Sequence, residues 1–98
     1  MVDLARTLNA PIVHSLRGKE HVEYDNPYDV GLTGFIGFES GYHAMHACDV
    51  LLLLGTDFPY KQFLPTECRI AQVDIRPENV GRRCKLDLGL VGDVETTI

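Results

Sequence analysis

The run Val50-Leu51-Leu52-Leu53-Leu54, stopped abruptly by Gly55-Thr56-Asp57, constrains the fold more than any other stretch. It is far shorter than the roughly 20 apolar residues that cross a bilayer. Apolar at every position, it fits a strand covered on both faces, as in a parallel sheet. A second strand is expected at Arg69 to Ile75, where Ile70, Val73 and Ile75 supply β-branched bulk and Asp74 lies at the carboxyl end. Pro11 to Ser15 and Leu86 to Val91, the latter broken by Gly89, read as two more. Between them, Leu4, Ala5 and Leu8 have helical spacing within Val2 to Leu8, and a short helix is expected from about Phe38 to Ala47. Asp93 is a good N-cap for a last helix, with Glu95 in the first turn where the dipole favours it. Four strands alternating with helices or loops imply an α/β fold built on a parallel sheet. Both ends break off in helices, so the 98 residues are expected to be a fragment of one domain.

The stretch from Leu16 to about Gly37 reads as a long irregular loop carrying Gly18, Asn26-Pro27, Gly31, Gly34 and Gly37. A loop of that length inside a compact domain is usually functional or disordered. The aromatic residues Tyr24, Tyr28, Phe35 and Phe38 argue for an ordered loop that packs on something. A net charge of −5, with Arg82-Arg83-Cys84-Lys85 as the one basic cluster, speaks against nucleic-acid binding, which draws most of its affinity from phosphate neutralisation. Met1-Val2-Asp3-Leu4 has no secretory pattern. Cys48, Cys68 and Cys84 are widely spaced without a CxxC pair, which fits free thiols in a reducing cytoplasm, with Cys48 a small buried hydrophobe.

In an open parallel sheet, ligands bind beyond the carboxyl ends of the strands. Three stretches project there: the loop with Thr33-Gly34-Phe35-Ile36-Gly37, then Gly55-Thr56-Asp57-Phe58-Pro59-Tyr60, then Asp74-Ile75-Arg76-Pro77. Glycines let a backbone approach a ligand, and turn N–H groups can hold phosphate oxygens. Asp74 occupies the position from which an acidic side chain receives ribose hydroxyls; equally, it can cap the turn at Pro77-Glu78. Gly55 can be ordinary turn chemistry, and no GxGxxG is present. His43 and His46 have i, i+3 spacing but no evident third metal ligand, and read as surface or satisfied histidines. His14 reads as a core-edge residue and Arg82-Arg83 as a solvated turn rather than a phosphate clamp. No nucleophile or acid–base pair stands out: Ser15 and Ser40 lie in no GxSxG elbow.

The same stretches carry a family resemblance. Ala10 to His14, the string from Arg17 to Gly31 (RGKEHVEYDNPYDVG), Thr33 to Phe38, Leu54 to Tyr60, Gln72 to Ile75 and Leu90 to Asp93 together resemble the central domain of thiamine-diphosphate enzymes of the pyruvate oxidase/pyruvate dehydrogenase (quinone) type. The resemblance implies a Rossmann-like parallel sheet with flanking helices, here incomplete, with residues 1–98 as a fragment of a FAD-binding central domain. It implies FAD contacts at Thr33, Gly34, Phe35 and Ile36, at Thr56, Asp57, Phe58, Pro59 and Tyr60, and at Asp74. It further implies a parent that oxidatively decarboxylates pyruvate to acetate and CO₂, passing electrons through FAD to a quinone. That parent is expected to be a cytoplasmic homotetramer, peripherally associated with the inner membrane face. Thiamine diphosphate and Mg²⁺ are expected in the other two domains.

Three departures bear on this. The activating glutamate of the pyrimidine-binding domain is absent, as is the GDG…N metal motif, since Gly92-Asp93 lacks the following glycine. The domain's first strand and glycine turn are expected to lie outside these 98 residues. No residue here is therefore expected to be catalytic. Two alternatives stay open: a structural central domain of a thiamine enzyme without flavin, and an unrelated nucleotide-binding module such as one for NAD.

Overall fold

The computed structural model describes residues 1–22 and 24–98. The chain divides into two compact units, Met1–Ala47 and Cys48–Ile98.

The first unit opens with α1 (Val2–Leu8), which buries Ala5. Asn9 ends it in the left-handed conformation (φ 50°), a geometry that asparagine tolerates better than most residues. Its N–H bonds back to the Ala5 and Arg6 carbonyls, and Pro11 prevents the helix from resuming. β1 (Ile12–His14) follows, with a single 3₁₀ turn at Leu16–Gly18 and the one-turn helix α2 (Lys19–Val22) behind it.

Here the structure corrects the sequence reading. The expected irregular stretch contains a strand, β2 (Asp29–Leu32), which pairs in parallel with β1 through Ile12↔Asp29 and His14↔Leu32. Side-chain turns organise the approach to it. Asn26 Nδ2 donates to the Val22 carbonyl at 2.8 Å, and Asn26 Oδ1 accepts from the Tyr28 N–H at 3.0 Å. Asp29 Oδ1 accepts from the Gly31 N–H at 3.0 Å. α3 (Glu39–Ala47) then packs on β2 and β1, burying Met45.

In the second unit, β3 (Val50–Leu54), β4 (Arg69–Asp74) and β5 (Leu88–Val91) form a parallel sheet in the order β3-β4-β5. The ladders run Val50↔Arg69 to Leu54↔Val73, then Ala71↔Leu88 to Asp74↔Val91. The core gathers Leu53, Phe58, Leu64, Ile70 and Val73. α4 (Val94–Thr97) touches β4 and is capped as expected, Asp93 Oδ1 accepting from the Thr96 N–H at 3.1 Å.

Among the described residues the strands are thus five in two sheets, and not four in one. A second difference concerns the Val50–Leu54 strand, expected to be covered on both faces: Val50 and Leu52 are exposed, and every residue of β5 is exposed. Parallel strands are usually joined by helical crossovers that cover the sheet. The β3-to-β4 and β4-to-β5 connections here carry single 3₁₀ turns, Lys61–Phe63 and Pro77–Asn79, so the chain places no crossover helix over those side chains.

Candidate functional site

Because β3, β4 and β5 are parallel, their carboxyl ends share one rim of the second unit's sheet. Gly55, Asp74 and Gly92 stand there in adjacent positions: the Gly55 N–H donates to the Val73 carbonyl at 2.8 Å and the Gly92 N–H to the Asp74 carbonyl at 3.0 Å. Gly55 turns the chain out of β3 at φ 62°, a conformation that side chains resist. Thr56, Asp57, Phe58, Pro59 and Tyr60 follow it, and Asp74 ends β4. Six of the ten expected site residues therefore lie along this rim.

The rim's carboxylates hold the chain's own groups. Asp57 receives both arms of the Arg83 guanidinium, Nε to Oδ1 and Nη2 to Oδ2, each at 3.0 Å. Arg82 Nη2 lies 3.3 Å from Oδ2. The Arg83 hydrogen bonds hold the Asp57 carboxyl below its ordinary pKa, with burial opposing and the Arg82 and Arg83 charges assisting. Arg82-Arg83, read from sequence as a solvated turn, is an anchor for the loop after β3.

Asp74 is buried, at 5% exposure. Its Oδ1 accepts from the Arg76 N–H at 2.9 Å, and the Asn79 amide lies 3.3 Å from both oxygens. This is the turn-capping geometry weighed above as the alternative to a ribose contact. Sequence reasoning missed Gln72, 3% exposed, which ties the rim together. Its Nε2 donates to the Thr56 carbonyl at 3.4 Å, and its Oε1 accepts from the Gly81 N–H at 2.9 Å. A lone polar residue at the centre of the Ile70–Val73 strand was the available signal.

The other four expected site residues belong to the first unit. Thr33 to Ile36 follow β2, and the Thr33 N–H donates to the His14 carbonyl at 3.1 Å. The turn closes with Gly37 N–H on the Gly34 carbonyl at 2.9 Å and Phe38 N–H on the Leu32 carbonyl at 2.8 Å. A Cβ at Gly37 would stand 2.6 Å from the Leu32 oxygen, so only glycine fits. Phe35 and Ile36 are exposed. Thr33 is buried, yet among the described residues its Oγ1 has no hydrogen-bond partner.

Elsewhere, His14 is buried, its Nδ1 at 3.1 Å from the Ser15 carbonyl and its Nε2 at 3.6 Å from Asp29 Oδ1. His43 Nε2 lies 3.2 Å from Glu39 Oε1, and His46 stacks on Tyr42 with ring centres 4.3 Å apart. Among the described residues no group of three or more His, Cys, Asp or Glu is placed to hold a metal ion. An open hollow lined by Leu16, Arg17, Lys19, Glu20 and Tyr24 includes none of the ten expected site residues. No described helix is long and apolar enough to cross a membrane.

The whole chain, residues 1–98, matches the family described as thiamine pyrophosphate enzyme, central domain. The chain belongs to this central-domain family. Among similar proteins, the "uncharacterized 42.6 kDa protein in isoamylase 3'region" of Pseudomonas amyloderamosa is 70% identical over 100% of this chain and 25% of its own length. The putative thiamine pyrophosphate-containing protein YdaP of Bacillus subtilis is 39% identical over 95% of this chain and 16% of its own. A probable acetolactate synthase large subunit of Methanocaldococcus jannaschii is 27% identical over 100% of this chain and 17% of its own. The chain thus spans a quarter or less of the length of these relatives. As a thiamine pyrophosphate enzyme central domain, it has the α/β architecture with parallel strands that the sequence led one to expect.

Proposed function

We propose that this segment serves a thiamine-diphosphate enzyme as an architectural part of its central domain and contributes no flavin contacts. One observation carries the reading: the two carboxylates at the β3–β4–β5 rim are committed within the chain, Asp57 to Arg83 and Arg82, Asp74 to the Arg76 N–H and Asn79. A carboxylate bonded this way has part of its roughly four acceptor sites taken by the chain itself before any ribose arrives. The rim's work is then to fix the loops after β3 and β4. Its partners are the remaining domains of the full-length protein, to which we assign thiamine diphosphate and Mg²⁺.

A second reading is favoured by a specific observation. Thr33 Oγ1 is buried without a partner among the described residues, and a buried unbonded hydroxyl is costly unless a ligand completes it. FAD would supply such a ligand, as an electron carrier between substrate and acceptor. Thr33 to Ile36 would be among its contacts. The parent would then be the pyruvate-oxidising, quinone-reducing enzyme that the sequence resembles, a homotetramer peripheral to the inner membrane face.

Flavin content decides between them. The full-length protein, purified with thiamine diphosphate and Mg²⁺, is denatured and the supernatant assayed for flavin fluorescence; pyruvate-dependent reduction of a quinone is measured with and without added FAD. The architectural reading expects no stoichiometric flavin and no FAD-dependent quinone reduction. One flavin per chain, lost in Asp74→Ala, would overturn it in favour of the second.

A further inference from the structure

Cys48 lies two residues before Val50, which opens β3, and Cys68 lies directly before Arg69, which opens β4. Val50 and Arg69 are ladder partners, and the Arg69 N–H donates to the Asp49 carbonyl at 3.1 Å, so the pairing reaches to one residue from each cysteine. Residues one position out of register on strands about 4.8 Å apart are separated by roughly 6 Å between Cα atoms. That is the usual Cα span of a disulfide. The side chains approach as well, since the Cys68 thiol is near enough to Cys48 to raise its pKa. Cys84 also lies near enough to Cys68 for its charge to be felt there. None of the three cysteines is in a disulfide, and all are half-buried. Sequence spacing concealed the meeting, because the pair is brought together by the parallel ladder.

We propose that Cys48 and Cys68 are an oxidisable dithiol that a small-molecule disulfide converts to a bond stapling the amino ends of β3 and β4. The Cys68 thiolate attacks one sulfur of the oxidant and releases one thiolate, leaving a mixed disulfide on Cys68. Cys48 then loses its proton and attacks the Cys68 sulfur, releasing the second thiolate. Two protein thiols thus lose two protons and two electrons, and the oxidant's S–S bond is reduced to two thiols. Burial and the nearby Cys68 thiol push the Cys48 thiol up to about 11, which makes it the second nucleophile and not the first. Burial also pushes Cys84 up, which disfavours it as a competitor. The staple forms at the end of the strands opposite the Thr56–Tyr60 and Asp74 rim, so it rigidifies the sheet without touching those residues.

The full-length protein is incubated with oxidised glutathione, residual thiols are alkylated in acid, and proteolytic peptides are mapped by mass. The expected product is a peptide pair joined through Cys48 and Cys68. It persists in Cys84→Ser, vanishes in Cys48→Ser and in Cys68→Ser, and forms faster as pH rises from 7 to 9. Protein unfolded in urea before oxidation serves as the control and is expected to lose that preference. Dominant pairing through Cys84, glutathione caps on separate cysteines without an internal bond, or the same pairing from unfolded protein would each overturn the proposal.

Discussion

Replacing Arg83 by alanine removes a two-armed ion pair that joins loops 26 residues apart in sequence, at 3.0 Å on each arm. Both side chains are 25% exposed. Exposed pairs contribute about 0.2–1 kcal/mol, whereas losing one partner of a fully buried pair costs about 3–5 kcal/mol. An intermediate site whose carboxylate keeps Arg82 at 3.3 Å belongs nearer the lower range, about 1–2 kcal/mol. The assay is native-state hydrogen exchange on the full-length protein, read at amides 55–60 and 80–84. A local loss of about 1–2 kcal/mol speeds opening roughly 5–30-fold there. Arg82→Ala, with a 48% exposed side chain, is expected to change exchange far less. The pH dependence supplies the sign. The folded-state pKa of Asp57 lies below its ordinary 3.8, so its stabilisation is complete above that value and is lost as pH falls through the lowered one. The Arg83→Ala-to-wild-type ratio of exchange rates should be large at pH 7 and approach one at acid pH. An unchanged rate at amides 55–60, or a ratio that persists when Asp57 is protonated, would refute the anchoring role.

Three further perturbations follow from the geometry. Thr33→Val replaces the partnerless buried hydroxyl with a methyl group of the same shape and is expected to raise stability by about 1 kcal/mol in thermal unfolding of the full-length protein; a loss of that size would show that the hydroxyl has a partner in solution. Gly37→Ala drives a Cβ to 2.6 Å from the Leu32 oxygen and is expected to cost about 1–3 kcal/mol in the same assay, with unchanged stability as the contrary result. Asp74→Ala deprives the Arg76 N–H and the Asn79 amide of their acceptor and is expected to cost about 1–3 kcal/mol. Asp74→Asn keeps an oxygen for the Arg76 N–H and should cost less; equal losses from both would contradict the turn-capping assignment.

Regular elements with dense local signals were legible in the sequence. Val50–Leu54 is a strand at the bounds expected, and Val2–Leu8 is a helix stopped where Asn9 and Pro11 stop it. Asp93 caps its helix. β2 was not legible because Asp29-Val30-Gly31-Leu32 mixes a turn-forming acid and a glycine with two apolar residues, and its strand state depends on pairing with Ile12 and His14. The rim of Gly55–Tyr60 and Asp74 followed from strand order alone, since parallel strands end on one side. What those side chains do there did not follow. The Asp57–Arg83 pair spans 26 residues, and the Gln72 bridge joins Thr56 and Gly81 on either side of β4. Such pairings are properties of the folded sheet and leave no local trace. The same holds for Cys48 and Cys68, isolated in sequence and adjacent at the feet of neighbouring strands.

The most direct measurement is an experimental structure of the full-length protein determined in saturating FAD. The architectural reading expects Arg83 still on both oxygens of Asp57, Asn79 still on Asp74, and no flavin density beside Thr56–Tyr60. An adenosine ribose on the Asp74 carboxylate, with Asn79 displaced, would contradict it.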